Sequence, residues 1–134
     1  TKNIVAKPNG DIGWDDRLIQ KTYNIQSVFG DTTSIKVVKT GKEVVFNFNR
    51  YINSTELSTA LNGGSSFVLC TLPTELRHNV TGWELRTFIQ SYNGFHLARF
   101  FNDTGQVLIF PTNNIAGSNA GEGQFNLNIS YQVP

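Results

Sequence analysis

From about residue 22 onward, apolar side chains recur at every second position. Tyr23 and Ile25 alternate with Asn24 and Gln26, and Ile35 and Val37 with Lys36 and Val38. Past the Thr40-Gly41 turn, Val44, Phe46 and Phe48 point one way and Val45, Asn47 and Asn49 the other. Such alternation marks a strand with one buried face. Further strands are predicted at 67–72, 83–92, 95–101 and 106–110. The final stretch is the most regular: Phe125, Leu127, Ile129, Tyr131 and Val133 interleave with Asn126, Asn128, Ser130 and Gln132.

Turn chemistry separates these runs. Asn102-Asp103-Thr104-Gly105 links two of them, and a Gly- and Asn-rich stretch covers 112–123. One helix is predicted, over 53–61, where Asn53 and Glu56 have capping-box spacing and Asn62-Gly63-Gly64-Ser65 ends it. Many short strands between Gly, Asn and Pro turns predict an all-β fold, an antiparallel β-barrel or jelly-roll-like sandwich. Residues 1–22 differ: Pro8, Asn9, Gly10, Asp11 and Gly13 cluster there and periodicity is weak. This segment reads as a neck or linker, with Trp14 packed on the domain, and 23–134 as the head.

Composition narrows the function. The 134 residues suit one core, and only 16% are charged, Asn, Thr, Ser and Gly filling the gap. The net charge of +1 and the lack of a basic stripe argue against nucleic-acid binding. No run has the length of a membrane span. Thr1 in place of Met reads as a sign of a fragment or processed product. The single cysteine, Cys70, lies in an apolar run and reads as a buried, inert thiol.

Catalytic and metal signatures are missing. His78 and His96 have no ligand-spaced neighbours, so neither metal nor cofactor is expected, and no nucleophile or phosphate-loop motif occurs. A non-enzymatic role is the expectation, although two acids converging from distant strands would still make a polysaccharide hydrolase. The aromatic residues are more informative. Phe46, Phe48, Phe67 and Phe125 read as core. Tyr92, just before Asn93-Gly94, is either a core ring or a ring offered to a sugar. His96 is either a satisfied strand histidine or a ligand contact. It shares one strand face with Ala98 and Phe100, while Phe95, Leu97, Arg99 and Phe101 share the other.

Several of these elements, in this order, resemble the head domains of receptor-binding proteins from siphophages of Gram-positive hosts, those of lactococcal phages in particular. They are Leu-Pro-x-x-Leu-Arg at 72–77, a strand from Trp83, Tyr92-Asn93-Gly94-Phe95-His96-Leu97, the 102–105 turn, the 106–110 strand and a closing C-terminal strand. The likeness covers about residues 30–134. It implies a β-barrel head in a homotrimer at the phage tail tip or baseplate, outside the cell, joined to other baseplate proteins on its N-terminal side. It also implies binding of host cell-wall saccharide or glycerol-phosphate polymer near protomer interfaces, without membrane insertion. The residues expected to contact saccharide are His96, which matches the family pattern, together with Tyr92, Arg99, Asn93, Trp83 and Phe110. Two positions depart from the pattern. The Asp expected two residues after the His is Ala98, and the Trp expected after the turn falls at Ile109 or Phe110. A hairpin turning at 102–105 places Ala98 opposite Ile109. A purely structural baseplate or fibre module is the main alternative, and a wall-polysaccharide hydrolase the lesser one.

Overall fold

The computed structural model describes residues 3–6, 12–15, 19–78, 84–91, 94–101, 103–111 and 123–134. Among these residues ten strands form in chain order: β1 (Asn3–Ala6), β2 (Ile12–Asp15), β3 (Gln20–Ile25), β4 (Ile35–Thr40), β5 (Glu43–Ile52), β6 (Phe67–Thr71), β7 (Glu84–Ser91), β8 (Gly94–Phe101), β9 (Gln106–Phe110) and β10 (Gly123–Gln132). One helix, α1 (Ser54–Leu61), and a 3-10 turn at Thr74–Leu76 interrupt them. The protein is all-β, as its alternation predicts.

β1 and β2 pair as a separate two-stranded sheet, with Ile4 opposite Trp14. That hairpin lies in the segment read as a neck or linker on its weak periodicity. Its four-residue strands are too short to show a period. Trp14's packing lies outside the described side chains. β3 begins at Gln20, opposite Thr40, so residues 20–22, expected in the N-terminal segment, pair with β4 instead.

The other eight strands run β3-β4-β5-β10-β7-β8-β9-β6. Between the two halves, β10 meets β7 at one ladder position among the described residues, Asn126 opposite Gln90. The sheet folds over there, and the halves face each other. Phe46 on β5 meets Phe100 on β8 edge to face at 5.0 Å, and Phe100 also packs against Tyr131 on β10. The result is a sandwich rather than a closed barrel. Among the described residues no ladder joins the end strands β3 and β6. The loop after β3 comes between them, and one bond, from Val28 N–H to the Leu69 carbonyl (2.8 Å), ties it to β6.

The core follows the pattern of the sequence. Ile35, Val37, Val44, Phe46, Phe48, Ile89, Phe100, Val107, Ile109 and Phe125 are closed to solvent. Cys70 is buried, which pushes its thiol up to about 12. α1 carries the anticipated capping box: the Asn53 side chain accepts from Glu56 N–H, and Glu56 accepts from Asn53 N–H. Asn62 closes the helix in the left-handed conformation, φ 47°. Between β4 and β5, Gly41 takes φ 61° at the first position of a two-residue turn, where a positive φ suits the strand twist.

The Leu-Pro-x-x-Leu-Arg element is structural. Leu72 and Leu76 are buried, and the Leu76 carbonyl accepts from the Tyr131 hydroxyl (2.5 Å). Arg77 donates to the Asp103 carbonyl (3.0 Å), fastening this element onto the β8–β9 turn.

Candidate binding face

β7, β8 and β9 position the candidate site. Along β7–β8, Arg86 stands opposite Arg99, Phe88 opposite Leu97 and Ile89 opposite His96. Along β8–β9, Arg99 faces Leu108, Leu97 faces Phe110 and Ala98 faces Ile109, as the turn spacing requires. Opposed residues share a sheet face. The inner face therefore holds Ile89, His96, Ala98, Phe100, Val107 and Ile109, all buried. The outer face holds Arg86, Phe88, Leu97, Arg99, Phe101, Leu108 and Phe110, half-buried or exposed.

Arg99 organises that outer face. Its guanidinium carbon lies 5.1 Å from the centroid of Phe101 and 5.0 Å from that of Phe110. Both distances fall in cation–π range. Phe88 is 66% exposed beside this cluster. The register also puts Glu84 opposite Phe101. The outer face of the other layer is quite different. There Asn47 stands opposite Asn128, Asn49 opposite Asn126 and Tyr51 opposite Gln124, all exposed, and Gln124 donates its amide N–H to Asn49 Oδ1. One side of the sandwich is a hydrophilic amide ladder. The other is aromatic and aliphatic around arginines.

Of the six expected saccharide contacts, three lie among the described residues. Arg99 and Phe110 come together on the outer face. His96 points the opposite way, fully buried and stacked on Phe125, ring centroids 5.3 Å apart and planes at 17°. Burial holds its pKa below the ordinary value of 6.5, which favours the neutral ring at pH 7. In this arrangement His96 is a core group out of a ligand's reach. Tyr92, Asn93 and Trp83 lie outside the described residues.

No family model, curated protein or solved structure matches this chain. Its chemistry therefore has to be read from its own geometry. Among the described residues, no three His, Cys, Asp or Glu side chains gather as a metal site. His78 is buried, its Nε2 3.0 Å from the Phe100 carbonyl oxygen.

A second concentration of polar chemistry, which the sequence did not single out, surrounds Arg50. Its Nε donates to Asp31 (2.8 Å), its second nitrogen to Glu56 (2.7 Å) and its third to the Tyr51 carbonyl (3.0 Å). Burial pushes the Asp31 carboxyl up, but hydrogen bonds from Ser34, Ser27 and Arg50 outweigh it and hold the group well below the usual range. The Arg50 hydrogen bond likewise lowers Glu56. Two carboxylates hydrogen-bonded to one guanidinium stay ionised, the opposite of what a general acid requires. Only the capping-box spacing pointed here; the pairing of residues 31, 50 and 56 is made by the fold.

Proposed function

We propose that this chain is the receptor-binding head of a bacteriophage tail tip, a non-enzymatic module that binds host cell-wall saccharide as a homotrimer. The observation that carries this reading is Arg99 laid over Phe101 and Phe110 on a solvent-facing sheet. Sugar rings present C–H faces to aromatic side chains and hydroxyls to planar donors, and an arginine fixed among rings offers both at little ordering cost. The exposed Phe88 beside it suits a face partly covered by sister copies. Three weak sites on one particle add through avidity. Within this reading the N-terminal side joins other baseplate proteins in the virion.

The test is a cell-adsorption block and a glycan array with the purified protein. The parent chain is expected to block adsorption and to bind a restricted set of wall saccharides. Arg99→Ala should lose at least tenfold in apparent affinity while keeping its melting temperature within a few degrees. A folded parent that neither blocks adsorption nor binds any glycan would favour the structural-module reading. Turnover of wall polymer, abolished by changing one carboxylate, would favour the hydrolase.

A further inference from the structure

A groove of about 400 Å³ opens between the loop after β3 and the helix α1, sharing no residue with the Arg99 face. Small-molecule sites run from about 300 to 1,000 Å³. Its walls differ in chemistry. Val28, Phe29 and Ala60 line it with apolar surface, while Thr55, Thr59 and Glu56 bring two hydroxyls and a carboxylate. We infer that this groove is a second binding site, which takes a neutral pyranose unit of a glycan.

Three observations select that occupant. The first is amphipathicity: a pyranose has an apolar C–H face and a rim of hydroxyls, matching one apolar wall and one wall of acceptors and hydroxyls. The second is charge. Arg50, which is bonded to Glu56 of the groove wall, already donates from its three nitrogens to Asp31, Glu56 and the Tyr51 carbonyl. One cation against two carboxylates leaves net negative charge, which disfavours phosphate- or carboxylate-bearing ligands. The third is rigidity. Phe29 is fixed between the Arg50 guanidinium at 4.5 Å and the Phe67 ring at 6.0 Å, and Glu56 is held by the capping box as well as by Arg50. Walls held in place before binding lose little entropy when a ligand arrives. Val28, 47% exposed although its N–H is anchored to β6, forms an open lip.

The inference extends the saccharide-binding reading and rests on it for its biological sense, but the two are separable by experiment. ¹⁵N-labelled full chain is titrated with neutral methyl pyranosides, with glycerol phosphate as the anionic control and a lysine-containing tripeptide as the peptide control. At least one pyranoside should move the Thr55, Thr59 and Ala60 amides saturably, with a millimolar Kd. Ala60→Trp, which fills the groove, should abolish those shifts with the rest of the spectrum intact. Thr59→Val should weaken them at least threefold, and Arg99→Ala should leave them unchanged. Sugar shifts confined to the Arg99 face would overturn the groove site and leave the proposed function standing. Groove shifts without any on the Arg99 face would do the reverse. Stronger binding by glycerol phosphate or the tripeptide, or shifts that persist in Ala60→Trp, would also overturn the groove inference.

Discussion

The His96 imidazole lies flat against the Phe125 ring in the middle of the sandwich, with the two planes only 17° apart. The strand that carries Arg99 to solvent thus carries His96 into the core. His96→Ala should leave a cavity and destabilise the protein by about 2–4 kcal/mol, in the range of large-to-small core changes. The pH dependence follows from its lowered pKa. The unfolded chain takes up the proton near pH 6.5 while the folded chain resists it, so stability is full above that value and declines as pH falls below it. His96→Phe should flatten this decline. Urea unfolding of the parent and both variants between pH 5 and 8 checks both statements; an unchanged midpoint for His96→Ala would show that the ring is not packed as described.

Asp31 organises the loop beside the groove. It accepts from Ser27 Oγ (3.0 Å), Ser34 N–H (3.0 Å) and Arg50 Nε (2.8 Å). Asp31→Ala removes these bonds and should lower stability by about 2 kcal/mol at neutral pH, the usual scale for hydrogen bonds to a charged group. Since the folded carboxyl titrates below its ordinary 3.8, its contribution is complete above that value and fades as pH falls below it toward the lowered folded value. The gap between parent and variant, followed by denaturant titration from pH 5 down to pH 2, should therefore shrink. A constant gap would mean that the loss arises from packing instead.

Much of this fold is legible in the sequence because two-residue alternation is a physical requirement of a half-buried strand. The pattern of residues 44–48 and 125–133 names the core side of β5 and β10. The spacing of Asn53 and Glu56 names the start of α1, and the turn at 102–105 fixes Ala98 opposite Ile109. β8 shows where such reading stops. Both faces of 95–101 carry apolar side chains, so the period sorts them into two sets without saying which is inside. The choice depends on the opposing layer, where Phe125 and Phe46 wait for His96 and Phe100. The groove was illegible for a related reason: its walls come from residues 28–29 and 55–60, brought together by Arg50 and by the Val28–Leu69 hydrogen bond.

Gly105 sits where no side chain fits. Its φ is 71°, in the left-handed region, and a Cβ added there would lie 2.5 Å from both Arg77 Nε and the Leu72 carbonyl oxygen. The arginine can swing aside, but the Leu72 carbonyl cannot, since the Gly105 carbonyl accepts from Leu72 N–H and the backbones are locked together. Gly105→Ala should cost about 3 kcal/mol, combining left-handed strain with backbone overlap. A denaturant midpoint close to the parent's would show that the 72–77 element can move off the turn.

Phe88 offers the most direct test of the trimer. It is 66% exposed on the outer face, opposite Leu97 and on the same layer as Arg99. A ring so open adds little to the stability of a single chain, so Phe88→Lys should change the unfolding energy by less than about 1 kcal/mol. If sister copies cover it, each covered ring contributes about 2 kcal/mol to association. Three charged replacements then weaken assembly by several powers of ten. Light scattering at micromolar concentration should give three chains for the parent and one for Phe88→Lys. Three chains for both would remove Phe88 from the interface, and one chain for the parent would remove the trimer itself.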